Sequence, residues 1–247
     1  MPRYKLTLEY DGTGLVGWQR QASGLSVQEI LETAVERFCG EAVRVHGAGR
    51  TDAGVHALAQ VAHLDLRRET DPEEVRGALN HHVRPHAVSV LAVEPAPATF
   101  NARTSARGRH YRYRILNRRS PPALDRSRVW HVGPPLDVAA MQDAARHLLG
   151  RHDFTSFRDA LCQAKSPIKT LDALDVSRVD EEVLLEARAR SFLHHQVRNI
   201  VGTLKLVGLG KWSPLHVKRA LDAQDRRAGG PTAPARGLCL VAVIYPA

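Results

Sequence analysis

The sequence has few cysteines, few aromatic residues and no long apolar run. Its three cysteines, Cys39, Cys162 and Cys239, stand far apart and never form a Cys-x-x-Cys pair, which argues against a disulfide framework and a thiolate zinc site. No stretch of about 18 apolar residues occurs, and the first residues alternate like a strand instead of forming a charged and then apolar leader. We therefore expect a soluble, cytoplasmic protein with no membrane partner.

Negative charge is also scarce relative to positive charge. Lys and Arg number 35 against 26 Asp and Glu, which gives a formal net charge of +9 over 247 residues. An excess of this size is typical of proteins that meet polyanions, and arginine has a planar fork suited to phosphate. The charge favours a nucleic-acid partner, although heavy arginine usage can also reflect genome composition.

Periodicity in the first half predicts the element order βαββαβ. Ser26 is a suitable N-cap for the first helix, and the Asp71-Pro72 pair is a typical start for the second. The predicted elements are strands over 3–10, 42–46, 60–66 and 87–94, with helices over 27–39 and from 71 to about 80.

The second half repeats much of this pattern. Its predicted elements are strands over 109–116, 170–178, 182–190 and 238–245, with helices over 137–149, 191–207 and 214–222. Two successive βαββαβ units indicate an α+β protein with two ferredoxin-like, RRM-like halves whose antiparallel sheets join around a central cleft. We place the halves at residues 1–103 and 104–247.

The stretch GAGRTDAGVH, residues 47–56, is a short glycine-rich loop between two predicted strands. It is not a G-x-G-x-x-G fingerprint, because Asp52 stands where the third glycine would be, and it has no Lys-Ser or Lys-Thr pair of a Walker loop. Asp52 is the residue in it that could do covalent chemistry. Taken alone, the stretch also fits a turn in which Asp52 makes a side-chain hydrogen bond.

The wider sequence resembles the tRNA pseudouridine synthases of the TruA family. GAGRTDAGVHA is similar to the family's active-site segment, and further blocks follow in family order over nearly the whole chain. These are EYDGTGLVGWQRQ, SVQE, the F-x-A-R of Phe100–Arg103, RHYRYRI, DFTSF, FLHHQVRNIVG and TAPARGLCL.

The resemblance implies an isomerase that converts uridine to pseudouridine in the anticodon stem-loop of tRNA, at adjacent positions where stem meets loop on the 3′ side. The reaction breaks the bond from the base nitrogen to C1′ and rejoins the base through C5, so it has no redox step and needs no cofactor. Asp52 takes the role of catalytic nucleophile. Attack on C1′, attack on C6 and a role as base at the ribose all stay open.

The resemblance also assigns substrate-binding residues. Strand alternation places Tyr111 and Tyr113 on one face, opposite His110, Arg112 and Arg114. This fits two core tyrosines behind a basic edge, but the family's tyrosine aligns with Tyr111, which we assign to the target base. Arg50 is expected to orient Asp52 or bind a phosphate, and Arg198 to form a salt bridge with Asp52.

Two histidines near Arg198 raise the possibility of a metal site. His194 and His195 are adjacent, and on a helix adjacent side chains diverge by about 100°, without the i, i+4 spacing of a zinc helix. We therefore expect no metal.

Two segments match RNA-contacting stretches of the family. They comprise Phe100, Asn101, Ala102, Arg103 and Thr104, and then Leu161, Cys162, Gln163, Ala164 and Lys165. Asn101 replaces a histidine that is expected in this block, which concerns the set of tRNA substrates and not the reaction. The family also implies a homodimer.

Two rival interpretations compete with this one. A non-catalytic, two-module RNA-binding protein would share the fold, but RGRHYRYR lacks the aromatic pattern of an RRM, and such a protein has no use for Asp52. A single-carboxylate nucleosidase would use similar chemistry but would release free base.

Overall fold

A computed structural model describes residues 1–246 as two compact units. The first unit comprises Met1–Arg107 and the segment that starts at Cys239, and the second comprises Gly108–Leu238. The segment from Cys239 onward was predicted to belong with the second half but lies with the first unit. The division into two halves at residues 1–103 and 104–247 stays a prediction, as does the cleft between them.

The first unit follows the predicted βαββαβ order. It contains β1 (Arg3–Tyr10), α1 (Val27–Cys39), β2 (His46–Gly47), β3 (His56–Asp65), α2 (Pro72–His82) and β4 (Val88–Ala96). β1 is the central strand, antiparallel to β4 on one side and to β3 on the other. Leu6 and Leu8 of β1 are fully buried, because alternate side chains of this strand face the core.

Helix α1 has the predicted bounds because both of its ends carry strong signals. The Ser26 hydroxyl accepts a hydrogen bond from the Glu29 backbone N–H, and Gly40 ends the helix in the left-handed conformation at φ 72°. Val27, Leu31 and Ala34 are fully buried, so one stripe of the helix faces the core.

The second unit contains β5 (Gly108–Leu116), β6 (Trp130–His131), α3 (Val138–Arg146), β7 (Gly150–Asp153), β8 (Ile168–Val179), β9 (Glu182–Ala189), α4 (Gln196–Gly208) and α5 (Pro214–Asp222). Its sheet has the order β7-β8-β9-β5 with antiparallel neighbours, and β6 adds a short parallel pair to β5. Helix α3 packs on β8 and against α4 and α5. The α+β fold class with antiparallel sheets is confirmed.

Several elements differ from the sequence-based expectation, among them β3, which begins at His56 and not at residue 60, and β6, which was not predicted. The predicted strand over 42–46 shrinks to the two residues of β2, and β7 was not predicted. The last strand, β10 (Leu238–Ile244), pairs with β3 in parallel through Cys239 and Leu240, not in an antiparallel ladder. A strand of this kind has no local signal for its partner, because pairing depends on which edge is open.

Among residues 1–246, no helix combines the length and apolar character that a membrane span requires.

Candidate active site

Asp52 lies on a tight turn between β2 and β3. The Val55 N–H donates to the Asp52 carbonyl at 3.1 Å, and Gly54 adopts a positive φ of 76° that closes the turn. The carboxylate-bearing residue is half-buried, whereas Arg50 is exposed. The turn therefore presents one acid at its tip, with Arg50 two residues before it.

A second loop, residues 11–18, holds this turn from one side. The Trp18 N–H donates to the Thr51 carbonyl at 3.0 Å, and the Gly54 N–H donates to the Leu15 carbonyl at 3.2 Å. An added Cβ at Gly12 would lie 2.2 Å from the Val55 carbonyl oxygen, and one at Gly17 would lie 2.4 Å from that of Thr51. The two loops thus pack backbone against backbone, which only glycine permits.

Buried neutral side chains support the turn from the core. The Tyr10 hydroxyl lies 2.8 Å from the Thr51 hydroxyl, and the Gln60 amide donates to the Gly49 carbonyl at 3.0 Å. Burial raises the pKa of Tyr10 to about 12, although its hydrogen bonds with Thr51 and Gln60 act in the opposite direction. This support is therefore uncharged throughout the physiological pH range.

Sequence reasoning did not assign functions to Tyr10, Gly12, Thr51 or Gln60. The block EYDGTGLVGWQRQ, which contains Tyr10 and Gly12, resembles a family segment, but the resemblance assigns no role to these two residues. Gly12 and Gly17 in this block could have indicated a close backbone contact. The partner of that contact is a turn about 35 to 45 residues further along the chain, and sequence periodicity gives no information about contacts at that separation.

Strand β5 places Tyr111 and Tyr113 on the buried face of the second unit, as alternation predicted. Tyr113 is fully buried and Tyr111 is 9% exposed. The Tyr111 ring meets Phe192 edge to face, with 5.3 Å between ring centroids, and the Tyr113 hydroxyl donates to the Pro234 carbonyl at 2.7 Å. Tyr113 is therefore a core residue, and Tyr111 lies at the margin of the core.

The opposite face of β5 is less available to phosphate than its sequence suggests. Arg112 donates to Glu186 at 2.5 Å and Arg114 donates to Glu182 at 2.8 Å, while His110 also contacts Glu186. The glutamates come from β9, the neighbouring strand. This cross-strand pairing neutralises much of the positive charge predicted for the strand.

Arg198 lies in the first turn of α4 and is half-buried. Its Nε donates to the Ala233 carbonyl at 2.8 Å, and the Ala233 N–H donates to the Arg198 carbonyl at 3.1 Å. Burial raises the pKa of Tyr113, and the nearby guanidinium of Arg198 acts in the opposite direction. The salt bridge between Arg198 and Asp52 stays a prediction.

The geometry expected for His194 and His195 is wrong. Helix α4 begins at Gln196, so both histidines precede it, and their ring centroids lie only 4.0 Å apart. His195 adopts a positive φ of 61°, and its Nδ1 lies 2.7 Å from Asp159 Oδ2. The helical argument against a metal therefore fails, and the absence of a metal stays a prediction.

Asp159 joins these histidines to the 161–165 segment. Burial acts to raise the pKa of Asp159, but hydrogen bonds from the Leu161 N–H and His195, together with the charges of His195 and His194, lower it overall. Of the predicted RNA-contacting residues, Leu161 is 82% exposed and Gln163 and Lys165 are also exposed, whereas Cys162 and Ala164 are half-buried.

The 100–104 segment divides into anchoring and exposed residues. Ala102 is buried, and its N–H donates to His63 Nδ1 at 3.1 Å. The Asn101 side chain accepts from the Arg103 and Thr104 N–H groups at 3.0 and 3.1 Å. Arg103 and Thr104 are exposed, and Phe100 packs against the ring of Tyr245. Asn101 thus stabilises the turn through its own side chain.

Comparison with known proteins places this sequence in a family. The family model described as tRNA pseudouridine synthase matches residues 7–104 and 144–246. The chain is 61% identical to tRNA pseudouridine synthase A of Paramagnetospirillum magneticum, over 100% of this chain and 96% of that protein. It is 62% identical to the protein of that name from Rhodospirillum centenum, over 99% of this chain and 100% of that protein. The chain belongs to the tRNA pseudouridine synthase family.

Membership confirms the predicted isomerase, which converts uridine to pseudouridine in tRNA, over the non-catalytic RNA-binding alternative. Another relative, tRNA pseudouridine synthase A of Methylobacterium sp. strain 4-46, is 58% identical over 100% of this synthase and 98% of its own length. Among solved structures, a Cbf5-Nop10-Gar1 complex aligns with 96% of this synthase and 48% of the other chain, at 11% identity and a TM-score of 0.41.

Proposed function

We propose that Asp52 is the reacting carboxylate of this synthase and that its target uridines lie in the anticodon arm of tRNA, where stem meets loop on the 3′ side. The observation that carries the proposal is a half-buried acid at the tip of a turn that is held on both sides. A group that must meet a sugar carbon needs a fixed position, and the backbone contacts with residues 11–18 supply it.

A single carboxylate is sufficient for the chemistry. The Asp52 side chain acts as nucleophile at C1′ or C6, or as base at the ribose, while the base is detached, turned and rejoined through C5. The atoms of substrate and product are the same, so the step requires no cofactor and no net proton or electron. Thr51 and Tyr10 hold the turn without adding a second acid.

The target base must leave its stack to reach the carboxylate. We propose that Tyr111 contacts the extruded base, since its ring lies at the margin of the core against Phe192. Arg198 pairs with Asp52 in this proposal and orients its carboxylate. Arg50, exposed in the same loop as Asp52, binds a phosphate of the extruded nucleotide.

The exposed residues of the two RNA segments complete the proposed substrate contacts. Arg103 and Thr104 project from a turn whose base is anchored by Ala102, and Leu161, Gln163 and Lys165 are exposed in the second segment. Phe100, Asn101 and Ala102 hold the first segment in place, and Cys162 and Ala164 are the half-buried residues of the second segment. Arg103 and Lys165 are the cationic residues of the two segments, and such side chains bind the phosphate backbone and position a nucleic acid without reading its sequence.

We also propose that the synthase works as a homodimer in the cytoplasm. The family resemblance supports the dimer, and the three free cysteines fit a reducing compartment. Light scattering at assay concentration tests the first point, and a purely monomeric mass would contradict it.

Tritium release from tRNA transcripts labelled at uridine C5 tests the reaction and its carboxylate. We expect Asp52→Ala to lower the rate by about 10³-fold or more while tRNA binding persists in a gel shift. Glu69→Ala, at an exposed acid in the loop after β3, is the matched control and should retain the wild-type rate. Equal rates for the wild type and Asp52→Ala would contradict the assignment.

The position of the target and the product need separate tests. Transcripts that keep uridine only at the 3′ junction of the anticodon stem and loop should release tritium, and transcripts that lack uridine there should not. Release of free uracil instead of retention in the tRNA would indicate a nucleosidase.

A further inference from the structure

The segment after α5, residues 225–234, runs over helix α4, and we call it the strap. An added Cβ at Gly202 of α4 would lie 1.7 Å from the Pro231 carbonyl oxygen, and one at Gly230 would lie 2.7 Å from the Thr203 Cα. The helix and the strap therefore touch backbone to backbone, with no space for a side chain at either glycine.

A polar cluster fastens the middle of the strap to the helix. Arg226 donates from Nη1 to the Gly230 carbonyl at 2.9 Å and from Nη2 to Asn199 Oδ1 at 3.1 Å. The Thr232 hydroxyl donates to the same Asn199 oxygen at 2.6 Å, and the Gly230 N–H donates to the Thr203 hydroxyl at 2.9 Å. Asn199 is 1% exposed, so its hydrogen bonds are made away from water and are costly to break.

The end of the strap holds Arg198. Ala233 accepts from Arg198 Nε and donates its own N–H to the Arg198 carbonyl, a reciprocal pair at 2.8 and 3.1 Å. The guanidinium is planar and its N–H groups point in fixed directions, so fixing the Nε–H fixes the plane of the whole fork. The direction of Arg198 thus depends on where the strap places the Ala233 carbonyl.

We propose that Arg226 and Asn199 are positioning residues that orient the Arg198 guanidinium for the reaction by fastening the strap. This inference rests on the proposed role of Arg198 in the function given above. Arg226 reaches a backbone carbonyl and the Asn199 side chain with separate nitrogens of one fork, a geometry that the single ammonium of lysine does not reproduce.

A double-mutant cycle tests the proposal on the full-length enzyme. Arg226→Lys should lower kcat for tritium release about tenfold and change KM by less than about twofold. In the Arg198→Ala background the same substitution should have no further effect on kcat, because Arg226 acts on the reaction through the Arg198 guanidinium, which is then absent. The thermal midpoint should fall by similar amounts in both backgrounds.

The matched control is Arg227→Lys. Arg227 is the next arginine along the chain, its side chain is 90% exposed, and it pairs with Asp225 at 2.6 Å. It has no place in the strap cluster, and we expect the wild-type kcat. A tenfold loss in this variant would show that kcat responds to any change in the segment and would overturn the proposal.

Thr232→Val is a milder variant if Arg226→Lys does not fold. It removes the hydrogen bond to Asn199 and the acceptor of one Arg226 N–H, but it leaves the Arg226 bonds to Gly230 and Asn199, and it should lower kcat about threefold, again only while Arg198 is present. For either variant, an equal loss of kcat in both backgrounds, or no loss, overturns the positioning role and leaves the proposed function intact. A wild-type rate for Arg198→Ala would instead remove Arg198 from the proposed function, and the inference with it.

Discussion

The first unit holds Asp52 mainly through backbone groups, whereas the second unit holds Arg198 through a chain of side-chain hydrogen bonds. The turn that carries Asp52 is held by N–H groups and carbonyls of two loops together with the neutral Tyr10 and Thr51. Around Arg198, the key carbonyl belongs to a strap that Arg226 and Asn199 fasten. Both arrangements use glycine where two backbone segments come closest, so the difference between them lies in the polar groups that hold each one.

This difference indicates which substitutions each arrangement can tolerate. A turn held mainly by backbone groups keeps most of its hydrogen bonds when a side chain is changed, so added volume disrupts it most. A strap held by one guanidinium and one amide fails when a single side chain is changed, because the buried partner is then unsatisfied. Three predictions test this contrast, from the largest expected effect to the smallest.

Added volume beside the Asp52 turn should cause the largest loss. Gly12→Ala would place a Cβ 2.2 Å from the Val55 carbonyl oxygen, and we expect a destabilisation of about 2–3 kcal/mol. Because the turn must shift, tritium release should also fall steeply. Urea unfolding and the activity assay measure both effects.

Gly49→Ala is the control for that prediction. Gly49 lies in the same glycine-rich loop, but an added Cβ there would have no atom within 4 Å. Its stability and rate should stay near those of the wild type. Equal effects at Gly12 and Gly49 would mean that close backbone contact does not hold the turn.

Removing one buried tyrosine hydroxyl from each unit should lower stability by a similar amount in both units, but should lower kcat substantially only in the second. Tyr10→Phe and Tyr113→Phe should each cost about 1–1.5 kcal/mol in urea unfolding, because each removes the hydrogen bond of a buried tyrosine hydroxyl, to Thr51 and to the Pro234 carbonyl respectively. Tyr113→Phe should also lower kcat about tenfold, since the Pro234 carbonyl follows Ala233 in the strap. Tyr10→Phe should change kcat by less than about threefold. The reverse order of kcat values would contradict the contrast between the units.

The smallest effect is a pH dependence in the first unit. Burial lowers the pKa of His63 from 6.5, and the charges of His46 and Arg3 act in the same direction. The unfolded chain therefore takes up this proton first as the pH falls, so the contribution to stability is full above pH 6.5 and is lost below it. Urea unfolding at several pH values between 7.5 and 5 measures the slope.

His63→Asn should flatten that slope while it preserves the anchor of the 100–104 segment. The asparagine oxygen can replace Nδ1 as acceptor for the Ala102 N–H, and it does not titrate in this range. His86→Asn, at an exposed histidine of the same unit, is the control and should leave the slope unchanged. An unaltered slope in His63→Asn would assign the pH dependence to other groups.

Local signals in the sequence determined several secondary-structure elements, and a resemblance in the sequence pointed to the family. Helix α1 begins after a serine cap and ends at a left-handed glycine, so its bounds are predictable from the residues alone. Alternation in β5 correctly separates Tyr111 and Tyr113 from the charged face. The resemblance around Asp52 gave the family, which the comparisons confirm.

The tertiary structure alone decided how these parts are held. Nothing near Cys239 indicates that β10 runs parallel to β3, and nothing near Arg112 indicates that Glu186 neutralises it. Likewise, Arg226 gives no local sign that it fastens Asn199. Caps and alternation act over a few residues, whereas strand pairing, ion pairing and backbone close approach join residues far apart in the chain, and only the folded packing brings them together.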